Sequence, residues 1–317
     1  MTNSLMDHAT GTMAAGSKSF ATAAKLFDPA TRRSVLMLYA WCRYCDDVID
    51  GQELGFNGQA LDRAEAERRL AMLKDQTRRA LAGEPMGEPA FAAFQEVALA
   101  HRIPLRLAFD HLEGFAMDVR ETRYESFEDT LLYCYRVAGV VGLMMARIMG
   151  VRDEAVLDRA CDLGLAFQLT NIARDIVEDA RLGRCYLPAR WLAEEGIPPD
   201  AIAAPEMRAP LARLARQLVA EAEPYYASAR AGLAGLPLRC AWAIASAHGV
   251  YREIGLKVSA AGPRAWDKRQ GTSGLEKSGL LLKGAGLALT SRFATPAPRP
   301  VGLWQRPRER DAYDRVA

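Results

Sequence analysis

The segment around Asp46 and Asp50 carries the first residues whose types and spacing could do chemistry. These carboxylates are four residues apart, so a helix would place both on one face, about 6 Å from each other. Asp47 would point roughly 100° away, whereas Tyr39 and Arg43 share the stripe of the two carboxylates. A solvated acidic face is the simpler interpretation, but the rest of the segment is apolar and aromatic, which favours burial. A buried carboxylate needs a partner cation or a metal ion.

A second acidic segment has the same spacing. Asn171, Asp175 and Asp179 follow one another at intervals of four residues, with Gln168 and Arg174 beside them. On a helix, these three oxygen donors would lie in a row along one face. Carboxylate and amide oxygens suit a hard cation, and this spacing leaves coordination positions for water and phosphate oxygens, as Mg²⁺ prefers.

Together the two rows indicate chemistry in which a diphosphate departs. On separate buried helices, the rows could face each other across a bundle and hold several metal ions between them. Metal ions and arginines would neutralise the charge that develops on the leaving diphosphate, and apolar walls would shelter an allylic carbocation from water. Chemistry based on histidine fits worse, because the four histidines show no spacing to a nucleophile. They are His8, His101, His111 and His248.

The elements that would position these rows are helices. Apolar residues recur at intervals of three and four in residues 35–49, 131–149 and 157–176, and alternating stretches of useful length are missing. Glycine and proline breaks separate segments of about 15 to 28 residues. This pattern predicts an all-α, single-domain protein. From Thr295 onward prolines alternate with arginines and cannot continue a helix, so we expect a mobile or surface-draped tail.

Composition and charge exclude several classes of protein. Half of the 317 residues are apolar and a quarter are charged, which excludes a disordered chain or a collagen-like fibre. The net charge of +2 resides in residues 291–317, which hold six arginines against three acids. The remainder has 35 basic and 36 acidic residues, so it lacks the excess of positive charge typical of a nucleic-acid binder. We therefore expect no nucleic-acid partner.

The sequence also bears on location and on the cysteines. No run of 18 uncharged apolar residues predicts a membrane span, and the first residues do not resemble a secretory signal, so we expect a cytoplasmic protein. Six cysteines are scattered through apolar segments. Cys42 and Cys45 form a C-x-x-C pair, but no second pair and no nearby histidine completes a zinc site. Buried thiols are the expected state.

Four motifs, in this order along the chain, resemble those of the squalene/phytoene synthase family, and most closely its bacterial carotenoid branch. They are Ser17-Lys-Ser-Phe20; Tyr39-x-x-x-Arg43-x-x-Asp46-Asp-x-x-Asp50; Tyr133-x-Tyr-x-Val-Ala-Gly139-x-Val-Gly142; and Gln168-Leu-Thr-Asn-Ile-x-Arg-Asp175-x-x-Glu-Asp179 with Gly183-Arg-x-Tyr-Leu-Pro188. The resemblance runs from about Lys18 to Lys277. It implies an isoprenoid-synthase helical bundle with a central cavity, and an enzyme that joins two prenyl diphosphates head to head.

The resemblance also implies roles for the residues at matching positions. Mg²⁺, with Mn²⁺ as an alternative, would be held by Asp46, Asp50, Asn171, Asp175 and Asp179. The substrate diphosphates would be contacted by Ser19, Arg43, Arg174 and Arg269, with Arg264 and Lys268 as alternatives to Arg269. The reaction centre would be lined by Phe20, Tyr39 and Tyr251. The wall along the prenyl chains would consist of Tyr133, Val137, Val141, Gly142 and Gln168, for several of which plain helix packing is an equal alternative.

The implied reaction has two ionisations. One geranylgeranyl diphosphate loses its diphosphate, and the double bond of a second molecule captures the allylic cation to give a cyclopropylcarbinyl (prephytoene) diphosphate. This intermediate ionises and rearranges, and loss of a proton yields phytoene for carotenoid biosynthesis. A tyrosine or the released diphosphate could accept the proton, and no NADPH is expected. Downstream carotenoid enzymes are candidate partners.

Three alternatives stay open at this point. The substrate could be the shorter farnesyl diphosphate, giving dehydrosqualene, hydroxysqualene or, with a reductant, squalene. A head-to-tail prenyltransferase is also helical with two aspartate-rich motifs, but its second motif usually has consecutive aspartates. A helical assembly factor of the same fold, without catalysis, should have lost metal ligands, and all five positions are present here.

The resemblance and the composition divide the chain into three parts. We predict an N-terminal segment at residues 1–16, the synthase domain at 17–291 and a Pro/Arg-rich tail at 292–317. Since the substrates and product are greasy, peripheral contact with a membrane is expected. Trp304 and the arginines of the tail could touch anionic lipid, although a solubilising tail is the simpler interpretation.

Overall fold

The computed structural model describes residues 2–16, 18–51 and 62–308, and the side chains of residues 2–4, 18 and 19 are outside that description. One of the glycine and proline breaks in the sequence, at residues 51–58, falls mostly outside the described residues, and the end of the tail at 309–317 falls wholly outside them.

Helices make up most of the described chain, and no strand occurs in those residues. They are α1 (Thr2–Gly16), α2 (Lys18–Ala24), α3 (Pro29–Asp50), α4 (Arg63–Leu81), α5 (Pro89–His101), α6 (Leu105–Val119), α7 (Phe127–Cys134), α8 (Val140–Ile148), α9 (Glu154–Arg181), α10 (Ala189–Glu194), α11 (Arg208–Ala231), α12 (Leu238–Ala261) and α13 (Gly274–Thr290). A π-helical turn, Tyr135–Gly139, joins α7 to α8. The prediction of an all-α fold is confirmed.

The first acidic segment forms the end of α3. The helix begins where Asp28 caps it, since the carboxylate accepts from the backbone N–H groups of Ala30 and Thr31, and Pro29 supplies a preset first turn. It ends at Gly51, whose φ of 62° is the left-handed conformation that glycine adopts without strain. Trp41 is fully buried in the core. The opposite face of the helix therefore carries the acidic and aromatic residues.

The second acidic segment forms the end of α9, the longest helix of the described chain. Asp153 caps its beginning by accepting from the N–H of Val156, at 3.0 Å. Its middle packs backbone to backbone against α8 and the π-helical turn. A Cβ added at Gly164 would lie 2.4 Å from the carbonyl oxygen of Ala138, and one added at Gly142 would lie 2.4 Å from that of Ala160. Glycine is required for this close approach.

The acidic ends of α3 and α9 meet at one end of the bundle. Arg184, three residues beyond α9, hydrogen-bonds to Asp50, the last residue of α3. The remaining wall of the bundle comes from α8, α11 and α12, which pack around α9, and from α6, which packs against α8 and the π-helical turn. The predicted opposition of the two rows across a bundle is the arrangement that the structure shows.

The continuous helical stretch Phe127–Ile148 is long and apolar enough to cross a membrane by length and composition. It is however part of the bundle: 56% of its most apolar window is buried, against α9 and α6. A mostly buried core helix passes the same test, so this stretch is only weak evidence for a membrane span.

The tail beyond α13 binds to the body of the protein along the described part of its length. We call residues 292–308 the C-terminal strap. Arg292 donates to the carbonyl oxygens of Leu233, Ala234 and Leu236, and Arg299 forms a bidentate ion pair with the buried Asp162. The expectation of a non-helical, surface-draped segment holds for these residues, and they are fixed by specific contacts.

The strap continues across the beginning of α9. Arg306 and Arg308 both pair with Asp158 and Glu154, in the first turns of that helix. Trp304 packs on the ring of Tyr135 at a centroid distance of 5.2 Å. Because Arg306 is only 10% exposed, the earlier idea that it contacts lipid is wrong for this arginine.

All six cysteines are free thiols, four of them buried, as expected. Burial raises the pKa of Cys45 in the C-x-x-C pair well above its ordinary value. The pair therefore has the inert character of core thiols.

Candidate active site

A cavity of about 850 Å³ runs through the bundle. It is lined by every residue that the sequence analysis assigned to the site except Ser19, whose side chain lies outside the described residues. Of the three basic candidates near residue 269, Arg269 lines the cavity, whereas Arg264 and Lys268 do not. The structure therefore brings the predicted residues together, while their individual roles stay predictions.

At the acidic end, the carboxylates of α3 are paired with arginines. Arg43 contacts Asp46 at 3.0 Å and Asp47 at 2.6 Å, and Arg184 binds Asp50 through both terminal nitrogens. Asp47 does not line the cavity, as its position on the helix predicts. Its carboxylate accepts a hydrogen bond from Arg43 and so orients that guanidinium. Arg43 therefore lies between the helix and the cavity, with its Nε buried and without a partner in the described chain.

The carboxylates of α9 are paired in the same way. Arg174 forms a bidentate contact with Asp175, at 2.8 and 2.5 Å, and Arg269 reaches the same carboxylate from the loop before α13, at 3.0 Å. Arg269 also contacts Glu178, at 3.2 Å. The acidic end of the cavity is thus a lattice of alternating carboxylates and guanidinium groups.

This end of the cavity nevertheless carries an excess of negative charge. Six carboxylates line it, against four arginines, which leaves a formal charge of minus two. The carboxylates are Asp46, Asp50, Asp118, Asp175, Glu178 and Asp179, and the arginines are Arg43, Arg174, Arg184 and Arg269.

Two of these carboxyl groups, Asp46 and Asp179, have raised pKa values. Burial raises the pKa of Asp46 to about 7, and the neighbouring Asp50 adds to the shift while Arg43 opposes it. Burial likewise raises the pKa of Asp179 to about 7, with Asp175 adding to it. An additional cation nearby would favour the ionised form of such a carboxyl group and lower its raised pKa.

The donor set fits a divalent metal. Within the described residues no three His, Cys, Asp or Glu side chains are gathered closely enough to hold an ion, because arginines occupy the carboxylates. The side-chain oxygen of Asn171 is buried and has no hydrogen-bond partner within the described residues. An orphaned amide oxygen beside carboxylates with raised pKa values is a set of hard oxygen donors, which Mg²⁺ prefers.

Asp118 is a polar residue of the cavity that the sequence analysis missed. It lies in the last turn of α6 and accepts from the hydroxyls of Tyr133 and Tyr186, at 3.4 and 3.1 Å. Burial raises its pKa to about 7. The rings of Tyr133 and Tyr186 stack at 4.4 Å. Tyr186 and Arg184 stand in the quoted Gly183-Arg-x-Tyr-Leu-Pro188 motif, which was the available signal. Asp118 stands in no motif, so only the fold reveals it.

Four aromatic rings form a group at the centre of the cavity. Phe20 lies 6.5 Å from Tyr39 and 5.4 Å from Tyr251, and Tyr251 stacks on Phe167 at 4.2 Å. Three of the four were predicted to line the reaction centre, and Phe167 was missed although it immediately precedes Gln168 in the motif. Aromatic faces attract cations, so this group can stabilise a carbocation that forms between them.

The wall formed by α8 and α9 owes its shape to small residues. Val137, Val141 and Gly142 lie on the cavity side of the π-helical turn and α8. The close backbone contact at Gly142 leaves the neighbouring valines as the surface facing the cavity. This segment both packs against α9 and forms part of the cavity wall. The sequence had left these two roles as alternatives.

Comparison with known proteins agrees with this geometry. The sequence profile of the squalene/phytoene synthase family matches residues 13–275, most of the chain. The chain belongs to the squalene/phytoene synthase family. It is 68% identical, over 96% of its length and 98% of the relative's, to a 15-cis-phytoene synthase of Pantoea ananas. A 15-cis-phytoene synthase of Enterobacter agglomerans is 67% identical, over 93% of this chain and all of the relative.

Solved structures of the family share the fold. A dehydrosqualene synthase in complex with a ligand superposes with a TM-score of 0.79 at 27% identity, over 91% of this chain and 98% of the other. A squalene synthase from Alicyclobacillus acidocaldarius gives a TM-score of 0.68 at 25% identity, over 83% and 96%. The family assignment makes the chain a prenyltransferase, and the isoprenoid-synthase fold that the motifs implied is confirmed.

Proposed function

We propose that this prenyltransferase is a phytoene synthase, which joins two geranylgeranyl diphosphates head to head through a cyclopropyl diphosphate. The observation that carries the proposal is the identity of 66–68% to three bacterial phytoene synthases over nearly their whole lengths. The cavity supports it with one charged end and long apolar walls. Substrates with an anionic head and a greasy tail match that division.

The arginines of the acidic end bind the diphosphates. Arg43, Arg174, Arg184 and Arg269 now occupy carboxylates of the two acidic rows. Planar guanidinium groups bind phosphate oxygens as readily as carboxylates, through paired hydrogen bonds. When substrate enters, the arginines turn from the carboxylates to the diphosphate oxygens.

The exchange would free the carboxylates of Asp46, Asp50 and Asp175. Together with the side-chain oxygens of Asn171 and Asp179, these are the donors that would hold Mg²⁺ or Mn²⁺. A divalent ion bound there supplies charge neutralisation for the departing diphosphate. The carboxylates would exchange their arginine partners for the metal ion, and the arginines would exchange the carboxylates for diphosphate oxygens. Neither set of charges is then left buried and unpaired.

The aromatic group protects and stabilises the carbocation. Phe20, Tyr39, Phe167 and Tyr251 surround the point where the acidic end gives way to the apolar walls. Burial raises the pKa of Tyr39 to about 12, so its hydroxyl stays neutral and does not trap the cation as a phenolate. Exclusion of water from this region prevents capture of the cation as an alcohol.

Turnover of purified protein tests this function. Geranylgeranyl diphosphate with Mg²⁺ should give phytoene, and NADPH should change neither the rate nor the product, because the last cation loses a proton. The product is identified by mass and ultraviolet absorption. A preference for farnesyl diphosphate in kcat/KM, or a product reduced by two hydrogens when NADPH is added, would assign the chain to another branch.

Peripheral membrane contact through α13 is the route that we propose for release of the hydrocarbon product. Leu275, Leu282 and Leu289 are spaced seven residues apart on this helix and are 85%, 75% and 54% exposed. Lys277 and Lys283 lie on the same helix, where they complement anionic lipid headgroups. This surface replaces the strap arginines as the candidate lipid contact.

Sedimentation with anionic liposomes tests this contact. Leu282→Asp should reduce the bound fraction severalfold, because it puts a charge at the centre of the apolar face. Leu99→Asp is the matched control, since Leu99 on α5 is also exposed (50%) and lies away from α13. Equal sedimentation of both variants and the unmodified protein would rule α13 out as the contact surface.

A further inference from the structure

An arginine lines the apolar end of the cavity. Arg159 lies on α9, 16 residues before Asp175, which corresponds to about 24 Å of helix rise from the acidic end. Its neighbours in the cavity wall, Val156, Gly232 and Leu236, are apolar or small. A charged residue is unexpected at this place, and diphosphate chemistry at the opposite end does not require it.

The contacts of Arg159 explain how it is accommodated. Its methylene stem packs on Gly232: a Cβ added at that glycine would lie 2.9 Å from Cβ and 3.2 Å from Cδ of Arg159. Its guanidinium donates to the carbonyl oxygen of Ser228 on α11, at 3.0 Å, and to that of Ala297 in the C-terminal strap, at 2.5 Å. The charged group is thus anchored on both sides, to α11 and to the strap, while its side chain lines the cavity.

The strap that supplies one of these anchors is itself held firmly. Asp162, one turn after Arg159 on α9, is 1% exposed and forms a bidentate ion pair with Arg299, at 2.7 and 2.8 Å. The hydroxyl of Ser228, whose carbonyl holds Arg159, donates to the same carboxylate. One network therefore fixes both acceptors of the Arg159 guanidinium.

We propose that Arg159, braced by the strap, is the end wall that limits the length of the prenyl chain. With the diphosphate fixed at the acidic end, the chain extends along α9 toward Arg159. A chain one isoprene unit longer would have to displace a guanidinium that is hydrogen-bonded to two backbone carbonyl oxygens. Because hydrogen bonds hold the Arg159 side chain in place, a longer prenyl chain displaces it less easily than it would displace an apolar side chain that can change rotamer. This inference rests on the proposed function for the identity of the normal substrate.

The test compares the C20 diphosphate with the C25 homologue, geranylfarnesyl diphosphate. Arg159→Ala should raise the ratio of kcat/KM for the C25 to the C20 substrate at least tenfold, and C45 or C50 hydrocarbons should be detected by mass. Arg152→Ala is the matched control: its guanidinium also donates to two backbone carbonyls, of Arg147 and Val151, but it does not line the cavity. Its C25 to C20 ratio should equal that of the unmodified protein.

Arg159→Leu provides a second variant that folds even if alanine leaves too large a void, because it keeps an apolar stem and no buried charge. It should raise the ratio by less than alanine does. An unchanged ratio in either variant that still melts cooperatively and turns over the C20 diphosphate would overturn the proposal. A preference of the unmodified protein for the C15 diphosphate would instead refute the proposed function, while the shift toward longer chains in Arg159→Ala would still report the end wall.

Discussion

At the scale of single residues, the site is a set of carboxylates and arginines that pair with one another. Asp46, Asp50 and Asp175 each have an arginine partner, so the acidic end stays folded without a metal. The charges are still unbalanced, because carboxylates outnumber arginines at the cavity surface. Removing one member should therefore affect catalysis far more than folding.

Asp46→Ala and Asp175→Ala should each lower kcat by on the order of a thousandfold, the several kcal/mol that metal-assisted charge neutralisation supplies. Their helical circular dichroism should not change, since each substitution reduces the excess of negative charge. Phytoene formation is measured by chromatography at saturating Mg²⁺. Asp47→Asn is the control: it keeps an oxygen acceptor for Arg43 and does not line the cavity, so its kcat should fall by less than tenfold. Normal turnover by either alanine variant would contradict the assignment of metal ligands.

Sequence spacing predicted which of these residues share a helical face, because each row lies within one helix. The interval of four residues in Asp46 and Asp50, or in Asn171 and Asp175, translates directly into one face. Asp118 depends on long-range packing, which brings the end of α6 to Tyr133 and Tyr186, and no local pattern encodes that meeting. The contacts of Arg159 could not be predicted from the sequence for the same reason, since its partners are 69 and 138 residues away.

At the scale of elements, the cavity depends on how closely α8 and α9 can approach. The prediction of helices succeeded because apolar periodicity and the Gly and Pro breaks are local signals. The π-helical turn at Tyr135–Gly139 was not anticipated. Gly139 of this turn packs against Cys161 and Leu165 of α9. Such a turn is set by tertiary packing more than by local propensity.

Gly164→Ala should destabilise the protein by about 1–3 kcal/mol, the usual cost of overpacking a core. The new Cβ would lie 2.4 Å from the oxygen of Ala138 and 2.7 Å from Cα of Gly139, so backbone atoms would have to move. The free energy of unfolding is measured with urea. Gly286→Ala on α13 is the control, because a Cβ there meets nothing within 4 Å, and alanine should stabilise that helix slightly. Equal stability of the Gly164 variant would show that the helices separate without cost.

At the scale of the whole molecule, the C-terminal strap joins regions that are distant in sequence. It links the turn after α11, the beginning of α9 and Arg106 on α6, whose guanidinium donates to the carbonyl of Pro307. Proline and arginine content predicted a segment without regular structure, and that held. Composition could not predict the docking, because the partners of Arg299 and Arg306 are carboxylates of α9 that are recognised only in the folded chain.

Truncation after Ala294 should lower stability by about 3–5 kcal/mol, because it leaves the buried Asp162 without its cation. Thermal unfolding should show a drop in Tm of several degrees. Truncation after Arg308 keeps every contact of the strap and is the reference against which the drop in Tm is measured. Adding Asp162→Asn to the shorter chain should recover part of the loss, since the uncompensated charge is removed. Two truncated proteins with the same Tm would show that the strap contributes nothing.

The meeting of the ends of α3 and α9 has a further electrostatic consequence. Each helix carries about half a negative elementary charge at its C-terminus, from backbone carbonyls that have no partner in the helix. Both of these partial charges point at the end of the cavity where the carboxylates already outnumber the arginines. The backbone therefore repels a bare diphosphate and attracts cations before any side chain moves. We therefore expect a substrate whose diphosphate is already complexed with divalent cations to associate faster than the bare diphosphate. A chelator should slow association of the substrate as well as the bond-breaking step.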